Sequence, residues 1–383
     1  MHIEEFGVEQ WMDAHEDHCE FNLAETCVDS LHVHELLALA GRSDTILDEL
    51  RAIKLTYGAI EGSARLRTLV AGLFRRQVPE NVTITHGAAG GNALVYETLV
   101  GRGDHVISLV PNYQQHYSIP EAFGGEVDFL PLREADGYLP DLDALQALLR
   151  PDTKLVVFSN PNNPTGALMD RPMLEAIVRL VAPTGAWILS DEVYRGVDHD
   201  GTGFTASIAD LYDRGISTGS MSKAYSLAGL RLGWIVGPAA FLRDVTVHRH
   251  YNTISVGVLD DLFASMALQH REAILSRNRT LLRENLALLD AWVQAEPGLS
   301  YVKPRSGTTA LVKYDIPIPS VELCLRLLDQ TGVMFVPGSV MQMEGHLRIG
   351  YANARRNLEL GLPRVSGFLR AVRATAGLLG RTP

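Results

Sequence analysis

Seven short runs rich in β-formers punctuate the middle of this chain: Val82–Thr85, His105–Leu109, Glu126–Leu130, Leu155–Ser159, Trp187–Ser190, Ile216–Ser220 and Trp234–Val236. Between them lie stretches of helical pattern, clearest at Asn92–Val100, Leu142–Leu149 and Arg171–Val181. Near-continuous apolar runs mark strands buried on both faces, and their alternation with helices predicts a parallel sheet covered on each side. The expected fold is therefore α/β, a doubly wound, mostly parallel sheet. Such sheets bind ligands beyond the carboxyl ends of their strands, so the residues that follow each run are the ones to inspect.

The pattern changes after Pro238. A long helical region over 240–295 precedes short strands expected at Tyr301–Val302, Ala310–Val312, Val333–Val336 and Leu347–Gly350, with helices at Ser320–Thr331 and Arg356–Ala374. This predicts a smaller α+β domain. The expected division is an N-terminal segment 1–40 that packs with the small domain, a large ligand-binding domain over 41–270, and the small domain over 271–383. A chain of 383 residues has length enough for two such cores.

Composition narrows the function classes. A formal charge of −11 with no basic stripe argues against a nucleic-acid partner. No run approaches about 18 apolar residues, so no membrane span is expected. The acidic opening Met1-His-Ile-Glu-Glu-Phe does not read as a leader, and Cys19, Cys27 and Cys324 form no paired framework, so a cytoplasmic location is expected. His15 and His18, His32 and His34, and His248 and His250 lack a third ligand at metal spacing, and no metal is expected.

Lys223 stands in Ser220-Met221-Ser222-Lys223-Ala224-Tyr225-Ser226, with Arg231 eight positions on and an apolar strand beyond it. A lysine that bonds an aldehyde must be partly desolvated to be neutral and nucleophilic. Hydroxyls and an arginine are the groups that would hold a phosphate nearby. Four other strand ends carry candidates. Gly87, Ala88 and Ala89 open a helix after the Val82 strand, as a tight turn or as backbone N–H groups facing an anion. Asn163 lies in Asn160-Pro161-Asn162-Asn163-Pro164-Thr165-Gly166, which is turn-forming in any fold. Asp191 follows the Trp187 strand, where it could simply cap a helix, with Glu192 read as structural and Tyr194 close behind. Tyr113 follows the His105 strand and reads equally as a core residue. Arg348 belongs to a C-terminal strand, where an arginine is more often a solvated charge.

Taken in this order over roughly residues 55–355, these elements resemble the class I/II aminotransferase family of fold-type I pyridoxal phosphate enzymes. The resemblance implies pyridoxal 5'-phosphate as cofactor, bound to Lys223 as an imine. Lys223 would then remove the α-proton of an L-amino acid, passing its amino group to a keto acid. Ser220, Ser222, Arg231 and the Gly87–Ala89 backbone would anchor the phosphate, and Tyr113 would stack on the ring. Asp191 would pair with the pyridine nitrogen, while Tyr194 and Asn163 would bond the ring oxygen. Arg348, with Asn163, would hold the substrate carboxylate. Tyr57, in Thr56-Tyr57-Gly58, matches the tyrosine that reaches the neighbouring subunit's phosphate, which implies a homodimer with shared active sites.

Departures from the family pattern bear on the substrate. A Gly-x-Pro element common near the N-terminus is replaced by Asn22-Leu23-Ala24-Glu25-Thr26-Cys27-Val28-Asp29-Ser30. Glu25 and Asp29 are expected either to receive a cationic side chain or to solvate the start of a helix at Leu31–Leu39. No arginine follows Arg249 in the segment through Ser255, and Gly307-Thr308-Thr309 has no aromatic residue, which weakens a dicarboxylate specificity. The same site chemistry serves elimination or cyclisation of an arginine derivative in the manner of capreomycidine synthase, which is the alternative expectation. A non-catalytic domain that senses pyridoxal phosphate is a third reading, set against the acidic net charge.

Overall fold

The computed structural model describes residues 2–201 and 203–379, the last five of these as backbone alone. Thirteen strands are described: β1 (Phe21–Asn22), β2 (Val82–Thr85), β3 (His105–Val110), β4 (Glu126–Pro131), β5 (Thr153–Ser159), β6 (Trp187–Asp191), β7 (Gly215–Ser220), β8 (Gly233–Val236), β9 (Leu299–Tyr301), β10 (Thr309–Tyr314), β11 (Val333–Met334), β12 (Val336–Pro337) and β13 (His346–Gly350).

Seven of them form one sheet in the order β2-β8-β7-β6-β5-β3-β4. The run from β7 through β4 is parallel, and only β8 is reversed, antiparallel to both β2 and β7. The fold is thus α/β with a mostly parallel central sheet. Its interior strands are apolar because helices cover both faces. Val156, Ile188 and Ile216 are fully buried, each contributing about 1.5–3 kcal/mol relative to exposure. Glu126–Leu130, expected as a buried strand, is instead the sheet edge: only Leu130 of β4 is buried and Phe129 is exposed.

Helix ends follow local chemistry. The Arg171–Val181 helix begins where Asp170 accepts from the Met173 N–H at 3.1 Å. The helix expected from Asn92 starts earlier, at Gly87, so the small residues form its first turn. The 240–295 region is three helices, Ala239–His250, Val258–Gln269 and Arg271–Ala295. The helix after Ser30 begins at Val33, closed by a reciprocal cap between His32 and Glu35, so Asp29 does not cap it.

A second sheet, β12-β13-β10-β9, is antiparallel throughout, and β1 pairs in parallel with β11. The expected single strand at Val333–Val336 is therefore two, whose residues serve different sheets around the buried Phe335. The helix Gly7–His15 is pinned from both sides. Trp11 Nε1 donates to the Phe335 carbonyl at 2.9 Å, and the Gly7 N–H donates to Gln114 Oε1 at 2.9 Å. It therefore bridges the small sheet and the segment that follows β3.

Candidate active site

The parallel strands β3, β5, β6 and β7 all point the same way, so Tyr113, Asn163, Asp191 and Ser220 emerge at one edge of the sheet. There they line a cavity of about 310 Å³. Asp191 lies on its floor, paired in register with Ser159 of β5 and Thr218 of β7. Asn92 Nδ2 donates to Asp191 Oδ2 at 3.0 Å, and Thr218 Oγ1 donates to Asn92 Oδ1 at 2.7 Å, fixing which end of the amide faces the carboxylate. His116 Nε2 stands 3.4 Å from the same oxygen, with its Nδ1 2.7 Å from the Tyr96 hydroxyl. Neither Asn92 nor His116 was expected. Each lies one helical turn beyond a residue that was, and that spacing is the signal that could have found them.

Three asparagines crowd the loop after β5, and two are consumed by it. Asn160 exchanges bonds with the backbone of Met169, and Asn162 accepts from Thr165 Oγ1 at 2.7 Å. Asn163 is left to line the cavity, where its Oδ1 accepts from Arg348 Nη1 at 3.4 Å. Arg348 is 3 % exposed, its Nη2 donating to the Ala24 carbonyl at 3.1 Å and its Nε without a partner. Burial lowers its pKa, against the opposing pull of Tyr194, Glu25, Glu9 and Tyr113. A buried guanidinium with no carboxylate bonded to it is costly unless a ligand completes it.

Lys223 faces this group. Its Nζ donates to Thr26 Oγ1 at 2.5 Å and to Cys27 Sγ at 3.3 Å. Burial alone would lower its pKa, but Cys27, Tyr194 and Glu25 outweigh that and the net shift is upward. Tyr194, almost wholly buried, has its phenol pushed up by burial and drawn back by Lys223 and Arg348. Ser220, Ser222, Ala88, Ala89 and Arg231 gather at one end. Arg231 adopts a left-handed backbone, φ 46°, unusual for a residue with a Cβ. A Cβ on Gly87 would stand 3.1 Å from Arg231 Nη2, so Gly87 shapes this corner without lining the cavity itself. The corner offers hydroxyls, a guanidinium and a helix N-terminus to an anion.

Tyr113 is half-buried, with Phe6 edge-on to its ring at 4.8 Å and its hydroxyl donating to Glu9 Oε1 at 3.1 Å. Glu25 lines the cavity, its Oε1 accepting from the N–H groups of Thr26 and Cys27 at 2.6 and 2.7 Å. Burial raises its pKa, but Lys223 and these N–H groups prevail and hold it below the ordinary value. Asp29 is a correction. It does not reach the cavity, because its backbone N–H is tied to the Ala352 carbonyl and its carboxylate turns to Arg277 at 3.3 Å. Tyr57 is also outside this chain's cavity, 80 % exposed. Glu192 is buried away from it, accepting from Ser207 and Ser217.

Also unforeseen is the contribution of the Gly7–His15 helix, which sends Val8, Glu9, Met12 and Asp13 to the cavity, followed by Glu16. The spacing of Glu9, Asp13 and Glu16 places them on one helical face, a signal present in the sequence. Among the described residues no group of three His, Cys, Asp or Glu could hold a metal, and no helix is long and apolar enough to cross a membrane.

Comparison with known proteins places these residues in a wider setting. A family model described as aminotransferase class I and II matches residues 49–359. Capreomycidine synthase of Streptomyces vinaceus is 34% identical over 319 residues, 83% of this chain and 82% of that protein. Arginine–pyruvate transaminase AruH of Pseudomonas aeruginosa is 29% identical over 316 residues, 79% of this chain and 80% of that one. Among solved structures, a PLP-dependent aminotransferase from Streptococcus suis superposes with a TM-score of 0.94 at 43% identity, covering 97% of this chain and 99% of that chain.

Proposed function

The chain belongs to the class I and II aminotransferase family, pyridoxal phosphate-dependent enzymes, and from that premise we propose that it moves the amino group of an L-amino acid to a keto acid. Bound in the cavity, pyridoxal phosphate supplies an electron sink for the pair left when the α-carbon loses its proton. The residues present fit that group: a hydroxyl-rich cationic corner for a phosphate, an aromatic wall at Tyr113, and a buried carboxylate between them.

In this reading Ser220, Ser222, Arg231 and the backbone of Ala88 and Ala89, in the corner shaped by Gly87, hold the phosphate. Asp191, braced by Asn92 and His116, keeps a proton on the pyridine nitrogen. Tyr113 excludes water from one ring face, and Tyr194 and Asn163 orient the ring oxygen. Arg348 grips the α-carboxylate through its remaining N–H. Lys223 Nζ would anchor the cofactor through its aldehyde in the resting enzyme and, once displaced by the substrate's amine, would be free to move the α-proton as general base, then acid. The observation that carries the reading is Arg348: a buried, unfinished guanidinium sharing one cavity with Lys223 and Asp191.

A second copy of the chain belongs to this reading. Leu55, Tyr57, Val247 and Tyr251 are exposed apolar or aromatic residues, and the Val256 carbonyl lies beside Gly58, so the two segments adjoin. Such a patch supports a homodimer in which Tyr57 reaches the partner's phosphate. The free thiols of Cys19, Cys27 and Cys324 suit a cytoplasmic enzyme.

Elimination or cyclisation of an arginine derivative is the second reading, favoured by the similarity to capreomycidine synthase. One experiment separates them. The purified holoenzyme is mixed with single amino acids, without a keto acid, and cofactor absorbance is followed. Conversion to the pyridoxamine form supports transamination. Persistence of the pyridoxal form with release of ammonia or a cyclic product supports the second reading, and no response to any amino acid overturns both.

A further inference from the structure

The cavity carries more negative charge than its chemistry uses. Glu9, Asp13 and Glu16 face it from the N-terminal helix and the turn that ends it, and Glu25 from the loop that follows. Asp191 has work on the floor; Glu9 accepts from Tyr113, and Glu25 from the N–H groups of Thr26 and Cys27 beside Lys223, but the Asp13 and Glu16 carboxylates accept no hydrogen bond among the described residues. Among the described residues none of the four forms an ion pair, whereas Asp29, a few residues on, is paired with Arg277. The Glu16 carboxyl is pushed up by burial and by the charges of Glu25, Asp17, Asp13 and Glu9, so the row lies within its own repulsive field.

A row of acids on a helix is ordinarily a solvated face. Here Glu9, Asp13 and Glu16 remain exposed while also lining the cavity, and the helix is held at both sides, through Trp11 to Phe335 and through Gly7 to Gln114, so the acids stand at the cavity mouth on a fixed element. The span from Glu9 to Glu16 is about 10 Å along the helix axis. An independent observation locates the other end of a ligand. Arg348, 3 % exposed and lining the same cavity, has an Nε without a partner and calls for a carboxylate. Glu9 and Glu25 both act on Arg348 electrostatically, so the two ends are close. A ligand that satisfies both carries a carboxylate at one end and a cation at the other.

We propose that the Glu9–Asp13–Glu16 face, with Glu25, is the substrate side-chain subsite, and that it selects amino acids with a long cationic side chain, a guanidinium above all. The inference rests on the amino-acid-transforming reading above and specifies its substrate class. A guanidinium donates to several carboxylates at once in a planar fork, which a row of acids along one wall accommodates better than a single acid would. Norleucine, of similar length and uncharged, leaves the row without a counter-charge.

The test is equilibrium titration of the holoenzyme with L-arginine, L-lysine and L-norleucine, following cofactor absorbance at low ionic strength. L-arginine is expected to bind about 10-fold or more tighter than L-norleucine. Asp13→Asn and Glu16→Gln, which leave the Tyr113–Glu9 contact intact, should each weaken L-arginine about 5- to 10-fold while L-norleucine stays within about 2-fold. Equal binding of the two amino acids by the wild-type protein, or variants that weaken both alike, overturns the proposal while the enzymatic reading stands. A holoenzyme that responds to no amino acid overturns the reading itself, and this inference with it.

Discussion

On the cavity floor, Asp191 rests at the end of β6 with Asn92 and His116 against it, and each of those is held in turn by Thr218 or Tyr96. On the roof, Glu9 and Asp13 come from one helix, Glu16 from the turn that ends it and Glu25 from a loop; none forms a direct ion pair among the described residues, although Lys223 acts on Glu25 electrostatically. The floor's carboxylate is braced from within the large sheet and its covering helices, whereas the roof's acids come to the cavity from a separate N-terminal segment. Under the proposed function, that difference leaves bond-making to Lys223 and the floor and the choice of substrate to the N-terminal segment.

The sharpest way to break this division is Lys223→Ala. Turnover of every amino acid should fall by at least about 10⁴-fold, whatever its side chain. Steady-state rates with L-arginine and L-norleucine would check it, and a loss confined to one of them would place Lys223 in selection rather than chemistry. Next is Gly350→Ala, at the seam where β13 meets the roof. A Cβ there collides with the Glu25 carbonyl oxygen, so thermal unfolding should show about 1–3 kcal/mol of destabilisation. Because the roof is displaced rather than the floor, cofactor retention should survive while L-arginine binding weakens.

The smallest expected effect is on pH dependence. Glu25 has its folded pKa below the ordinary 4.5, so its stabilising contribution is present above about pH 4.5 and lost as pH falls through the folded value. Protection against amide exchange at Thr26 and Cys27, whose N–H groups bind its carboxylate, should therefore fall on acidification before that of β6 or β7, once rates are corrected for the intrinsic pH dependence of exchange. Glu25→Gln should remove this early step, and an unchanged profile in that variant would show that the roof is held by other contacts.

Much of the floor was legible in the sequence, since strand ends are marked by where apolar runs stop, and Asp191, Asn163 and Tyr113 stand at three such stops. β4 was misjudged because an edge strand and a buried one of six residues differ only in what covers them. The roof was harder. The helical spacing of Glu9, Asp13 and Glu16 is visible, but an acidic stripe does not say whether water or a cavity lies opposite. Glu25 and Asp29 read alike in the sequence, yet the backbone bond between Asp29 and Ala352 carries the second away towards Arg277. Asn92 and His116 stand one helical turn beyond legible residues, a signal of where they face, but their partner Asp191 is distant in sequence and only the closed sheet brings it near.

Trp11 bonds Phe335, and Arg348 bonds the carbonyl of Ala24, each across 324 positions of chain. During synthesis Trp11 and Ala24 must therefore wait for Phe335 and Arg348 before these contacts can settle. The β2–β8 sheet, by contrast, has all its strands once residue 236 has emerged. Long-range contacts form late because the entropy of closing so large a loop must be met before they reward it. The nascent chain thus completes its large sheet first and the closure of its cavity last.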